Sequence, residues 1–110
     1  MKVDQKAHTV TIRDTQGDLA SFLLKVTQQY KTFEKHNIVI DLLMYKELSA
    51  SDIKLFMPLS KQHKKAKKSF IVVTSNFDFN AVSDKLIVVP SLLEAHDIIE
   101  MDEIERDLGF

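Results

Sequence analysis

The chain has 110 residues, 45% of them apolar and 28% charged, with a formal net charge of −1. That length supports one domain with one hydrophobic core, and the near-neutral balance supplies no global field toward nucleic acid or an anionic membrane. Cysteine is absent, which excludes disulfides and thiolate metal sites, and two glycines with two prolines leave no material for long loops or a glycine-rich phosphate cradle.

The first residues, Met1-Lys2-Val3-Asp4-Gln5-Lys6, lack the apolar centre of a signal peptide, and no run approaches the roughly 20 apolar residues of a membrane span. A cytoplasmic location without membrane association is therefore expected. Residues His8 to Arg13 alternate, with Val10 and Ile12 on one face and Thr9, Thr11 and Arg13 on the other, the pattern of a half-buried strand. Val3 fits a shorter strand paired with it through a turn at Gln5-Lys6-Ala7. Gly17-Asp18 breaks the alternation, and Asp18 is suited to cap a helix whose apolar stripe is Leu19, Phe22, Leu23, Val26, Tyr30 and Phe33.

A solid apolar run, Ile38 to Met44 with Asp41 inside it, follows and reads as a strand buried on both faces. A polar joint, Lys46-Glu47-Leu48-Ser49-Ala50-Ser51-Asp52, leads to a second helix over about Ser51 to Lys67. Ser51 is the expected cap, and Leu55, Phe56, Leu59 and Ala66 the expected inward residues. Pro58 lies about two turns in and predicts a kink, or a short first turn followed by the main helix. Phe70 to Val73 is a further buried strand, and Ser75 to Lys85 a polar crossover with a helical turn at Asn80–Ser83. Leu86 to Val89 is a last short strand stopped by Pro90. Ser91 caps a terminal helix with Leu92, Ala95, Ile98, Ile99, Met101 and Ile104 as its apolar members, and Leu108 and Phe110 close the chain. Strands alternating with helices predict an α/β domain spanning residues 1–110, with a mixed or mostly parallel sheet and no internal repeat.

The joint after Asp41 occupies the place where open α/β sheets set their functional residues, outside the carboxyl end of a strand. Asp41 itself is a catalytic candidate if burial raises its pKa; the favoured reading is a carboxylate at the strand end, solvated or bonded to nearby backbone N–H groups. The four histidines, His8, His36, His63 and His96, lack close metal-ligand spacing and read as surface residues. No serine has a histidine within local reach, and neither metal nor cofactor is expected. Lys61, Lys64, Lys65, Lys67 and Lys68 form a basic cluster at a helix end, where cations offset the dipole; nucleic-acid contact is the alternative, made less favourable by the absence of interleaved aromatic and arginine residues. The C-terminal run carries seven acids against Arg106, unfavourable for a helix carboxyl end unless it docks on this chain (the lysine cluster included) or on another.

Ile38-Val39-Ile40-Asp41, then Ser49-Ala50-Ser51-Asp52, then Phe70 to Val73, then Leu86 to Ala95 with Pro90 and Glu94-Ala95, follow in an order that resembles the STAS domain. That is the fold of anti-sigma-factor antagonists and of the cytoplasmic part of sulphate transporters. The resemblance covers nearly the whole chain. It implies four or five strands in a mixed sheet, helices mainly on one face, and a non-enzymatic regulatory module that meets a protein partner through Ser49, Ser51, Asp52 and Asp41. It also implies phosphorylation at Ser51, although Asp52 stands where the family has glycine and Ser49 where it has aspartate. The ending Ile98 to Phe110 resembles a small STAS-like group sometimes labelled ribonuclease Z; that enzyme needs a H-x-H-x-D-H zinc cluster, which this sequence lacks, so the association implies a companion of RNA processing rather than the enzyme. A carrier of a small hydrophobic ligand is a further expectation of the same resemblance, and a homodimer is a separate expectation for the chain.

Overall fold

The computed structural model describes residues 1–75 and 86–109. Their elements are β1 (Lys2–Lys6), β2 (Thr9–Arg13), α1 (Leu19–Gln28), α2 (Tyr30–Phe33), β3 (Asn37–Asp41), α3 (Ala50–Lys54), α4 (Met57–Lys65), β4 (Phe70–Val73), β5 (Ile87–Val89) and α5 (Leu92–Asp107). The five strands form one mixed sheet in the order β1-β2-β3-β4-β5. Only the β1–β2 pair is antiparallel, a hairpin whose turn holds Ala7 at φ 54°. The remaining pairs are parallel. The expected turn at Asn80–Ser83 and the closing Phe110 lie outside the described residues.

Register explains the core. Ile38 stands between Val10 and Phe70, and Ile40 between Ile12 and Val72. With period-2 alternation these side chains share one face, where Phe22, Val26, Tyr30, Phe33, Ile53, Phe56 and Leu59 from α1 to α4 cover them. Val39, Ile71, Val73 and Val89 share the opposite face, covered by Ala95 and Ile99 of α5. The sheet thus divides the apolar interior into two packed clusters, where one was expected from chain length. β3 is buried along its whole length, as a strand with neighbours on both edges and helices on both faces must be.

The long first helix and the long second helix are each two pieces. A break at Gln29 separates α1 from α2, and a break at Leu55-Phe56 separates α3 from α4, with Pro58 in the first turn of α4, where its missing N–H is not needed. Ile53, Phe56, Leu59, Ser60 and His63 point inward, at spacings of three and four that continue one face across the break. Leu55 and Ala66, expected inside, fall beyond the edge of that face and are exposed. The strand expected to run to Met44 leaves the sheet after Asp41, and Leu43 and Met44 face outward.

His63, expected at the surface, is fully buried. Its Nε2 lies 2.6 Å from the carbonyl oxygen of His36, which can only accept, so Nε2 carries the proton. Nδ1 then accepts from the Tyr30 hydroxyl at 2.7 Å. The rings of Tyr30 and Phe70 meet the imidazole edge-on, with centroids 5.5 and 6.2 Å away. Burial pushes its pKa below the ordinary histidine value of 6.5. The unfolded chain therefore binds a proton as pH falls through about 6.5 while the folded chain resists it, so stability is full above that pH and declines below it. Urea midpoints measured between pH 7.5 and pH 5 should fall with pH in the native chain, and the slope should flatten in His63→Gln, whatever that substitution does to the midpoint at pH 7.5.

Candidate functional site

The carboxyl edge of the sheet gathers the ends of β2 and β3 and the joint that follows. Arg13 and Asp41 are register partners on adjacent parallel strands, so their side chains emerge side by side. Arg13 Nε donates to Asp41 Oδ2 at 2.9 Å, and the backbone N–H of Leu43 donates to Oδ1 at 3.0 Å. Both oxygens of this 1%-exposed carboxylate are occupied. Asp41 is thus the bonded carboxylate of the favoured reading, here buried and not solvated, and its partner Arg13 is what reaches the surface. That geometry gives no unengaged base, and a buried Asp41 cannot itself touch a partner.

Asp14, which the sequence pattern did not single out, is the second buried carboxylate of this edge. It closes a short turn by accepting from Gln16 N–H at 3.0 Å through Oδ1, while the Tyr45 hydroxyl donates to Oδ2. Burial, then the bond to Asp14, then the nearby charges of Asp14, Asp18 and Asp52 push the Tyr45 phenol well above its ordinary range. Tyr45 is thereby fixed as a neutral donor that ties the joint to the end of β2. An aspartate directly after an alternating strand was the available signal for Asp14; for Tyr45, 31 residues away, there was none.

The joint closes with a reciprocal cap. Ser49 Oγ accepts from Asp52 N–H at 3.1 Å, and Asp52 Oδ2 accepts from Ser49 N–H at 3.0 Å. Ser49 is therefore the cap of α3, and Ser51, expected in that role, is the second helical residue with its side chain exposed. The reason is Asp52, which stands three residues after Ser49 and only one after Ser51. Around the joint, Leu43, Met44 and Leu55 are 39% to 48% exposed. Met44 rests over Gly17, whose φ of +75° lets the chain turn tightly into α1.

The lysines lie at the other end of the molecule. Lys61, Lys64 and Lys65 ride on α4 and are exposed, and Lys67 and Lys68 follow its carboxyl end, before β4 enters the sheet at its amino edge. The structure thus brings Ser49, Ser51, Asp52 and Asp41 to one edge and separates the basic cluster from them. At that amino edge α5 docks on its own chain through buried polar groups. Asn37 Nδ2 donates to Glu103 at 2.7 Å, and Asn37 Oδ1 accepts from Ser69 N–H at 3.0 Å and from Arg106 Nη2 at 3.2 Å. Ser69 Oγ donates to Asp102 at 2.7 Å and accepts from Arg106 Nη1 at 3.2 Å. Two of the seven acids are answered in this way by Asn37 and Ser69, which the sequence reading passed over. Among the described residues, no group of three His, Asp or Glu converges as a metal site.

Ser49→Ala should cost about 1 kcal/mol in urea unfolding, because the Asp52 N–H loses its side-chain acceptor while the backbone N–H of residue 49 still bonds Asp52 Oδ2, whereas Ser51→Ala should change stability by less than about 0.5 kcal/mol. Equal effects of the two substitutions would contradict the assignment of the cap. No protein-family model matches this chain, and comparison with curated proteins finds no match.

Proposed function

We propose that this chain is a STAS-type, non-enzymatic regulatory module that meets a protein partner through the joint at Ser49–Asp52. The observation that carries this reading is the position of Ser51. It is exposed at the start of α3, outside the carboxyl end of the central strand, with three partly exposed apolar side chains nearby. Two further features support it: the element order around a mixed sheet, and a site whose buried carboxylates are fully engaged in structure. A cytoplasmic setting suits the reading; among the described residues no helix is long and apolar enough to cross a membrane.

The proposed regulation is phosphorylation of Ser51. It adds up to two negative charges beside Asp52, in a neighbourhood that already holds Asp14 and Asp18. α3 has only five residues, and its cap already uses the Asp52 N–H, so little inside the domain compensates that charge. The added charge acts on whatever lies against the joint.

A second surface favours a different place of contact. Leu93, Met101, Ile104 and Leu108 of α5 are 53% to 73% exposed. At about 100° per residue they fall within an arc of about 80°, on the side of α5 away from the sheet. Glu94, Glu100, Glu105 and Asp107 are exposed beside that stripe. A basic amphipathic helix is the partner that this face would fit. The RNA-processing companion and the apolar-ligand carrier are not favoured by any feature of the joint.

Affinity capture with four forms of the chain tests the reading: native, Ser51→Asp, Leu55→Asp and Met101→Asp. The joint reading expects a partner whose recovery falls about tenfold with Ser51→Asp and Leu55→Asp and is unchanged with Met101→Asp. Loss confined to Met101→Asp would move the interface to α5. Identical recovery by all four would remove both surfaces.

A further inference from the structure

The amino edge of the sheet holds a groove of about 570 Å³ between the end of α4 and the last turns of α5. Among the described residues its walls bring together four cationic side chains, Lys64, Lys67, Lys68 and Arg106, and one carboxylate, Asp102, with Glu103 and Asp107 in the adjoining hollow beside Lys68 and Arg106; the half-buried Ile87 gives it an apolar flank. Arg106 is not a loose surface cation. Its guanidinium is held by Ser69 Oγ and Asn37 Oδ1, both on buried residues, and these bonds engage two of its five N–H groups among the described residues. The Ser69 bond to Asp102 likewise fixes that acid in the groove wall.

The backbone supplies an independent observation. α4 ends with Lys68 N–H bonded to the His63 carbonyl at 3.3 Å and Lys67 N–H to the Lys64 carbonyl at 2.9 Å. This is the two-bond helix stop whose left-handed residue is most often glycine. Here that residue is Lys67, at φ 60°. Ala7 adopts the same region in the β1–β2 turn, so the conformation alone assigns nothing. At Lys67 it coincides with a cavity and a concentration of positive charge. Lys64 and Lys65, in the last turn of α4, already offset the helix dipole. Helix termination does not need a side chain at residue 67, and glycine would serve it better; the groove does use one.

We propose that this groove binds a small phosphate monoester, with the phosphate among Lys67, Lys68 and Arg106 and the organic part along Ile87. A phosphate monoester carries between one and two negative charges near neutral pH and offers three acceptor oxygens, which suits several converging N–H donors better than a carboxylate does. The volume is in the range of small-molecule sites. A nucleic-acid strand is less well matched. The cations converge on one concavity instead of tracking a backbone, and the ring of Phe70 at the groove is buried and cannot stack on a base. The site is independent of the joint, which lies at the opposite edge of the sheet.

Titration of the full chain with hexyl phosphate, inorganic phosphate and a short single-stranded RNA, followed by calorimetry, tests the proposal. Hexyl phosphate should bind saturably and more tightly than inorganic phosphate, and Lys67→Gly should weaken it about tenfold. The same substitution should raise the thermal midpoint, because glycine adopts the left-handed conformation without strain, so lost binding cannot be blamed on lost folding. Absence of saturable hexyl phosphate binding, or unchanged affinity in Lys67→Gly, overturns the proposal. It is also overturned if RNA binds more tightly than hexyl phosphate and weakens equally with Lys61→Gln and Lys67→Gly, which would mean an extended basic surface in place of a pocket.

Discussion

β3 is bonded along both edges and covered on both faces, and the rest of the molecule is arranged by that. Its alternate side chains divide between the two apolar clusters: Ile38 and Ile40 face α1 to α4, and Val39 faces α5. Five residues with no side chain reaching solvent leave no register slip that would not push Asn37 or Asp41 into an apolar layer. Those two polar residues sit at the strand's ends because the ends are where backbone N–H groups and neighbouring polar side chains can satisfy them.

The two ends of β3 consequently have different chemistry. At the carboxyl end Asp41 fixes Arg13, Asp14 fixes Tyr45, and the chain turns into the capped start of α3. The carboxylates of Asp41 and Asp14 there are engaged in structure, and Ser49, Ser51, Leu43 and Met44 are exposed beside them. At the amino end Asn37 and Ser69 collect Asp102, Glu103 and Arg106 from α5. This bonding holds the acidic helix against the sheet and leaves a cationic groove beside it. Each edge carries both signs of charge, with Asp102 and Glu103 beside Lys68 and Arg106 at one and Arg13 on Asp41 at the other.

Much of the architecture was legible because it rests on local signals. Alternation in Thr9 to Arg13, the solid apolar runs at Ile38 and Phe70, Asp18 and Ser91 as caps, and the interruption at Pro58 each act over a few residues, and each is present in the folded chain. The misreadings concern which face a residue takes. Ser51 reads as the cap, but Asp52 selects Ser49; Leu55 and Ala66 are apolar, yet they fall beyond the edge of the inward face that Ile53, Phe56, Ser60 and His63 set. His63 reads as a surface residue because the four histidines show no metal-ligand spacing, yet it lies on the inward side of α4 with Leu59.

The sequence by itself determined the α/β class, the order of the elements and the central place of the Ile38 run, since periodicity and capping are properties of neighbours along the chain. Tertiary structure alone decided that Arg13 meets Asp41, that Tyr45 meets Asp14, that Tyr30 and the His36 carbonyl enclose His63, and that Arg106 reaches Asn37 and Ser69. Each of those pairs joins residues 27 to 69 positions apart. Such contacts depend on strand register and on which helix covers which face, and no local pattern of residues encodes either.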